Sequence, residues 1–321
     1  MIKILANDGI HPDGLSLLLE ADYQVDTEKV PQEELHKVLP DYDVIIVRSA
    51  TKVRKELIDV CPKLKIIARG GVGLDNVDVE YARTKGITVM NTPAASSQAV
   101  AELAFAHMFS LARNLYDSNR AMPAKGQSDF KKLKKSYAKG LQLRGRTLGI
   151  LGFGRIGREV ARIGVGLGMN ILPVDLVIDE ADIDITVFKS EDISLAVRVQ
   201  TCEMEEMLAK SDFITLHVPF SGGRPLITEE EIGRMKDGVI LINASRGGAI
   251  DEDALLEGLN SGKVGGAGLD VFENEPTPKK ELLKHPKISL TPHIGAATQE
   301  AQSNIGLELA DRILAFFGDD K

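Results

Sequence analysis

Leu148-Gly-Ile-Leu-Gly-Phe-Gly-Arg-Ile-Gly157 decides the fold. An apolar, strand-like run enters Gly152-x-Gly154-x-x-Gly157 and passes directly into a helical segment, Arg158 to Leu167, that stops near Gly168. That pattern is a dinucleotide site. Gly152 permits the tight turn, Gly154 lets the backbone approach a pyrophosphate, and Gly157 lets helix and strand pack closely. The amino end of the helix then faces the phosphates. The next apolar segment, Asn170-Ile-Leu-Pro-Val-Asp175, ends on an acidic residue. A carboxylate there can bond both ribose hydroxyls of NAD and repels a 2′-phosphate, so NAD is favoured over NADP.

The fingerprint starts at residue 152, far later than in a chain whose cofactor domain comes first. The first half must therefore hold a separate domain, or the cofactor domain is inserted into another one. At 321 residues, 43% hydrophobic and 27% charged, the chain is long enough for two domains of ordinary globular composition. A net charge of −8 argues against sequence-independent nucleic-acid binding and against acidic membranes. No apolar run is long enough to span a bilayer, and Met1-Ile-Lys-Ile-Leu-Ala-Asn7 reads as a first strand. Cys61 and Cys202 lie far apart with no CxxC or Cys/His cluster, so no disulfide framework or metal site is expected and a reducing cytoplasm fits.

Short apolar runs at Ile2 to Ala6, Val44 to Val47, Ile66 to Ala68 and Val89 to Asn91 alternate with polar, periodic stretches. Such alternation implies a parallel sheet covered by helices. Ligands of such sheets sit at the carboxyl ends of strands, which puts Arg48 and Gly70-Gly-Val-Gly73 in one expected anion pocket. Ser97 to about Asn114 reads as a long, largely buried helix linking the two halves, followed by a lysine-dense stretch from Lys125 to Lys139. Further strands are expected at Phe213 to Val218, Val239 to Asn243 and Gly266 to Val271, with a helix entered through a Thr228-x-x-Glu231 capping box. The last segment, Thr298 to Phe317, is helical in period and is expected to pack back on the first domain.

Three further segments carry a resemblance: Asn243-Ala-Ser-Arg-Gly-Gly-Ala-Ile-Asp251, Asp270-Val-Phe-Glu-Asn-Glu-Pro276 and Thr291-Pro-His-Ile-Gly295. Together with Ala99-Val-Ala-Glu102 and the glycine fingerprint, they make the chain resemble the D-2-hydroxyacid dehydrogenase family along essentially its whole length. The resemblance implies two doubly wound α/β parallel-sheet domains, with a Rossmann NAD-binding domain (97–292) inserted into a discontinuous, flavodoxin-like substrate domain (1–96 and 293–321). It also implies a homodimer formed through the cofactor domain, with residues 97–139 supplying much of the contact.

Within that pattern the catalytic residues map onto Arg246, Glu275 and His293. Cofactor contacts map onto Gly152, Gly154, Arg155, Ile156, Gly157, Asp175, His217, Pro219, Ala244, Asp270, His293 and Gly295, with Asp270 set toward the nicotinamide carboxamide. The physical reading agrees. Moving a hydride to or from C2 of a 2-oxo acid leaves an oxygen that must gain or lose a proton, which suits a histidine near neutral pH. Glu275 beside His293 favours the imidazolium, so reduction starts with the histidine as acid. Arg246 offers a planar fork of donors for the substrate carboxylate, and Arg48 with the backbone N–H groups of Gly71 and Val72 holds its other end. Taken without the motifs, Arg246 and Glu275 read equally as a structural ion pair, His293 as a turn residue, the 70–73 glycines as a simple turn and Asp270 as a strand-end cap. His107, His11, His36, His217 and His285 read as structural or solvated.

The 71–78 and 290–298 stretches look most like the phosphoglycerate dehydrogenase branch of the family, which implies a phosphorylated substrate. Lys131, Lys132, Lys134, Lys135 and Lys139 are then expected either to reach a neighbouring subunit's site or to form a solvated arm. Two departures stand out: Tyr137 with no tryptophan in the arm, and a long Leu176 to Glu203 segment without the usual proline after Asp175. The chain stops at Lys321, which implies no serine feedback through an appended regulatory domain. Glyoxylate/hydroxypyruvate reductases are the nearest alternative. Formate dehydrogenases pair glutamine with the histidine where this chain has Glu275, and an NAD-sensing corepressor is the non-enzyme alternative.

Overall fold

A computed structural model describes residues 1–186, 194–220 and 222–318. The chain divides into two units, Met1–Ala99 with Ala296–Lys321, and Val100–Gly295. Each boundary falls three residues later than the motifs suggested, the first of them within the opening turn of a helix over Ser97–Ala112.

The first unit is a five-stranded parallel sheet of β1 (Lys3–Ala6), β2 (Gln24–Asp26), β3 (Val44–Val47), β4 (Ile66–Arg69) and β5 (Thr88–Asn91), in the order β2-β1-β3-β4-β5. Both faces are covered, so the central strands read as unbroken apolar runs, as at Val44-Ile-Ile-Val47. The period of two is visible in the packing. Leu5, Ile45, Val47 and Ile67 join Leu35, Leu39 and Leu57 on one face. Ile4, Val44, Ile46 and Ile66 join Leu18, Ile305, Leu309 and Ile313 on the other. The second group includes the last helix, Gln299–Gly318, so that helix completes the first unit's core. It crosses the helix Pro12–Glu20 at a pair of glycines: a Cβ on Gly14 would stand 2.2 Å from the Gly306 carbonyl oxygen.

The second unit holds a six-stranded parallel sheet and a separate hairpin. Its strands are β6 (Thr147–Leu151), β7 (Asn170–Val174), β8 (Glu180–Thr186), β9 (Ser194–Gln200), β10 (Phe213–Leu216), β11 (Val239–Asn243), β12 (Val264–Leu269) and β13 (Ile288–Leu290). The large sheet runs β13-β12-β11-β10-β6-β7, a doubly wound order whose direction reverses between β6 and β10. The expected Rossmann architecture is present. The capping box at Thr228 forms as expected, with Thr228 N–H donating to Glu231 at 2.9 Å and Glu230 N–H to the Thr228 hydroxyl.

Several element ends differ from the sequence expectation. The fingerprint helix begins at Arg155 because Gly154 is its N-cap. The first linking helix stops at Ala112, two residues before Asn114, whose backbone is left-handed (φ 51°). β12 ends at Leu269 and not Val271, since Asp270 leaves the strand to cap the next loop. The long segment after Asp175 folds into an antiparallel hairpin, β8 with β9, where a doubly wound domain would place a third strand beside β7. Ile183 and Val199 are buried in the same core cluster as Phe153 and Phe105, and Arg162 ties the hairpin to the fingerprint helix through the Asp184 carbonyl (2.7 Å). Residues 187–193 of this segment lie outside the described residues.

Candidate active site

In a parallel sheet the loops that leave the strand ends all gather at one edge. In the second unit that edge collects the Gly152–Gly157 loop after β6, Asp175 after β7, His217 and Pro219 after β10, and Ala244 and Arg246 after β11. Asp270 and Glu275 come after β12, and His293 and Gly295 after β13. From β12 to β7 is four strand spacings, roughly 19 Å. The acid–base residues stand at one end of this line and Asp175 near the other.

The glycine loop has the shape that its sequence implied. Gly152 has φ +98°, and a Cβ there would stand 2.5 Å from the His217 carbonyl oxygen. A Cβ on Gly157 would lie 2.0 Å from the Gly152 carbonyl, so this glycine seats the helix on the turn. Gly154 differs: nothing lies within 4 Å of its Cβ position, and it caps the helix without any side-chain bond. The open space and uncapped helix N–H groups of Arg155 and Ile156 fit a bound pyrophosphate.

Asp175 is more occupied than expected. Its oxygens accept N–H bonds from Phe153 (2.7 Å), Val177 (2.9 Å) and Ile178 (3.1 Å). These N–H groups occupy most of the roughly four acceptor positions of a carboxylate, leaving less of it for ribose hydroxyls than the sequence reading expected. Burial pulls its pKa upward, but the backbone N–H donors of Val177, Phe153, Ile178 and Leu176 together outweigh burial and hold it below the ordinary value. The charge that disfavours a 2′-phosphate is thus built into the loop.

At the other end, His293 Nδ1 lies 2.8 Å from Glu275 Oε2. The second Glu275 oxygen accepts the Phe272 N–H (3.0 Å), which aims the carboxylate at the ring. His293 itself has a left-handed backbone (φ 56°). Asp270, almost fully buried, grips its loop: Oδ1 accepts from the Thr291 hydroxyl (2.7 Å) and Ile294 N–H (2.8 Å), and Oδ2 from Gly295 N–H (2.9 Å). The strand-end cap left open by the sequence is therefore realised. Arg246 is presented by a turn that Asn243 builds, accepting from Ser245 N–H (3.1 Å) and donating to the Arg246 carbonyl (2.8 Å). Arg246 Nη1 donates to the Ser245 carbonyl (2.7 Å).

In the first unit, Arg48 and Gly70 lie at the carboxyl ends of β3 and β4 and line a cavity of about 310 Å³ with Asp8, His11 and Gln302. Arg48 also lines a neighbouring cavity of about 360 Å³ with Lys29 and Ser49. Gly71 corrects one expectation, because its N–H is spent on the Thr92 hydroxyl (2.8 Å), leaving Val72 of the expected amide pair. His11 is not simply solvated; its Nδ1 caps the helix Pro12–Glu20 by accepting from Asp13 N–H. His217 keeps its Nε2 2.9 Å from the Thr215 hydroxyl while its buried Nδ1 has no partner among the described residues, and burial pushes its pKa down to about 3. His107 is buried between Ser289 and Thr291. Lys131, Lys132, Lys134, Lys135 and Lys139 are exposed, four of them on the helix Phe130–Ser136. Among the described residues no helix is long and apolar enough to cross a membrane, and no group of three potential ligands could hold a metal ion.

Fold and edge define a doubly wound, dinucleotide-dependent oxidoreductase. Residues 105–295 match the family model described as D-isomer specific 2-hydroxyacid dehydrogenase, NAD binding domain. A hydroxypyruvate reductase of Thermotoga maritima is 41% identical over 98% of each chain. A D-3-phosphoglycerate dehydrogenase of Methanocaldococcus jannaschii is also 41% identical over 98% of this chain, which spans 57% of that relative's length. A glyoxylate reductase structure from Paecilomyes thermophila superposes with TM-score 0.83 at 31% identity, covering 98% of this chain and 94% of the other. The chain belongs to the D-isomer specific 2-hydroxyacid dehydrogenase family, and NAD is the cofactor of its second unit.

Proposed function

We propose that the chain interconverts 3-phosphoglycerate and 3-phosphohydroxypyruvate as an NAD-dependent homodimer. The observation that carries the acid–base part is the His293–Glu275 pair, held at 2.8 Å on the same sheet edge as the open Gly154 turn. NAD supplies hydride transfer at its nicotinamide when bound. His293 donates a proton to the 2-oxo oxygen in reduction and recovers it in oxidation. Glu275 fixes the ring through its 2.8 Å contact with Nδ1. Arg246 pairs with the substrate carboxylate and polarises the reacting carbonyl. Gly152, Gly154, Arg155, Ile156 and Gly157 hold the pyrophosphate, and Asp175 takes a ribose hydroxyl. His217, Pro219 and Ala244 line the dinucleotide, and Asp270 and Gly295 its nicotinamide end. Arg48 and Val72 remain proposed substrate contacts.

The phosphorylated substrate is supported by a second cation, Lys29, beside Arg48 in the 360 Å³ cavity. A second reading, reduction of unphosphorylated hydroxypyruvate, is favoured by the Thermotoga relative that this chain matches end to end. Initial rates of NADH oxidation with 3-phosphohydroxypyruvate and with hydroxypyruvate at equal concentration separate the two. The proposal expects a preference of at least tenfold for the phosphorylated compound, about 1.4 kcal/mol of transition-state discrimination. The opposite preference assigns the chain to the reductases.

A further inference from the structure

His107 is 2% exposed on the largely apolar inner face of the helix Ser97–Ala112, a costly place for an imidazole unless both nitrogens are used. Both are. Nδ1 lies 2.8 Å from the Ser289 hydroxyl and Nε2 lies 3.0 Å from the Thr291 hydroxyl. The direction of the chain follows from proton counting. Thr291 has one hydroxyl proton and donates it to Asp270 (2.7 Å), so toward His107 it can only accept. Nε2 must then carry the proton, and Nδ1, left bare, accepts from Ser289. The bonds run in one sense, from Ser289 through His107 and Thr291 to Asp270. Burial lowers the His107 pKa and the Asp270 charge raises it, with burial prevailing.

Asp270 is where this chain meets the chemistry. It holds residue 291 by the side chain and residues 294 and 295 by their amides, on both sides of His293. A left-handed backbone on a non-glycine residue persists only where its surroundings impose it. Here the residues flanking His293 are bound to Asp270 on both sides.

We infer that His107 is a positioning residue for His293: as the Nε2–H tautomer it locks the Thr291 hydroxyl onto Asp270, which holds the Thr291–Gly295 loop so that His293 meets Glu275. This rests on reading His293 as the acid–base residue. The test uses the full-length protein with His107→Gln, whose terminal amide reproduces the Nε2–H donor, and His107→Leu, which keeps the bulk and removes both nitrogens. His107→Leu is expected to lose ten- to a hundredfold in kcat, the scale of a misplaced catalytic group, with KM and the NADH dissociation constant within about twofold. His107→Gln is expected to recover most of kcat. Equal kcat for the two variants, or a loss shared equally by kcat and NADH binding, overturns the inference. ¹⁵N imidazole spectra of the unliganded wild type give a readout free of turnover. One histidine signal, absent from both variants, should be the neutral Nε2–H tautomer at pH 8, and an Nδ1–H tautomer there also overturns it. If the wild type reduces no 2-oxo acid, the proposed function fails while the spectra still decide the state of His107.

Discussion

His217 carries a buried imidazole nitrogen with no partner among the described residues, and this sets a pH dependence. In the unfolded chain the ring titrates near 6.5, whereas in the folded chain burial lowers that to about 3. Below pH 6.5 the unfolded state therefore binds a proton that the folded state refuses. Stability is level above that point and falls as pH drops toward 3, with an upper limit of about 1.4 kcal/mol per pH unit for one proton. Urea unfolding at pH 7.5 and 5.5 should show wild type losing more stability on acidification than His217→Gln, and equal losses would remove His217 as the cause. At this scale the sequence was legible where motifs are local. Arg246, Glu275 and His293 each sit in a contiguous, recognisable segment. The Gly71 N–H and the role of His107 were not legible, because their partners lie far along the chain: Thr92 for one, Ser289 and Thr291 for the other. A lone imidazole on an apolar helix face was the available signal for His107, since such a group demands partners.

Among elements, the crossing of the helices Pro12–Glu20 and Gln299–Gly318 gives a contrast between two glycines. At Gly306 a Cβ would lie 2.9 Å from the His11 Cβ, and at Gly233, inside the helix Glu229–Arg234, it would meet nothing within 4 Å. Gly306→Ala should destabilise by about 1–3 kcal/mol through overpacking. Gly233→Ala should stabilise by roughly 0.5–1 kcal/mol, since only the helical entropy cost is relieved. Thermal unfolding of both variants checks the pair, and two changes of the same sign would refute the close-crossing argument. Strand positions were legible because buried parallel strands are short apolar runs. The β8–β9 hairpin was not: Glu180-Ala-Asp-Ile-Asp-Ile-Thr186 alternates as an edge hairpin should, but a doubly wound template expects a third parallel strand there. Strand ends were hardest where a side chain takes over from the ladder, as Asp270 does beyond β12.

For the molecule as a whole, the proposed homodimer has a physical motive in the second unit. Leu115, Tyr116, Met122 and Phe130 expose apolar side chains on the helices Leu115–Lys125 and Phe130–Ser136, neither of which buries any residue fully in the single chain. Exposed apolar surface of this kind favours association. Sedimentation at micromolar concentration should give twice the 34.8 kDa chain mass, and Tyr116→Glu with Phe130→Glu should shift it to the monomer; a monomeric wild type would refute the dimer. The inserted order of the chain has a consequence for its synthesis. The first unit's core lacks Ile305, Leu309 and Ile313 until the final helix is made, whereas every strand of the second unit has been translated by Gly295. A chain emerging from the ribosome can thus finish the domain it began second, while the one it began first waits, with apolar strands uncovered, for the helix Gln299–Gly318 to clear the exit tunnel.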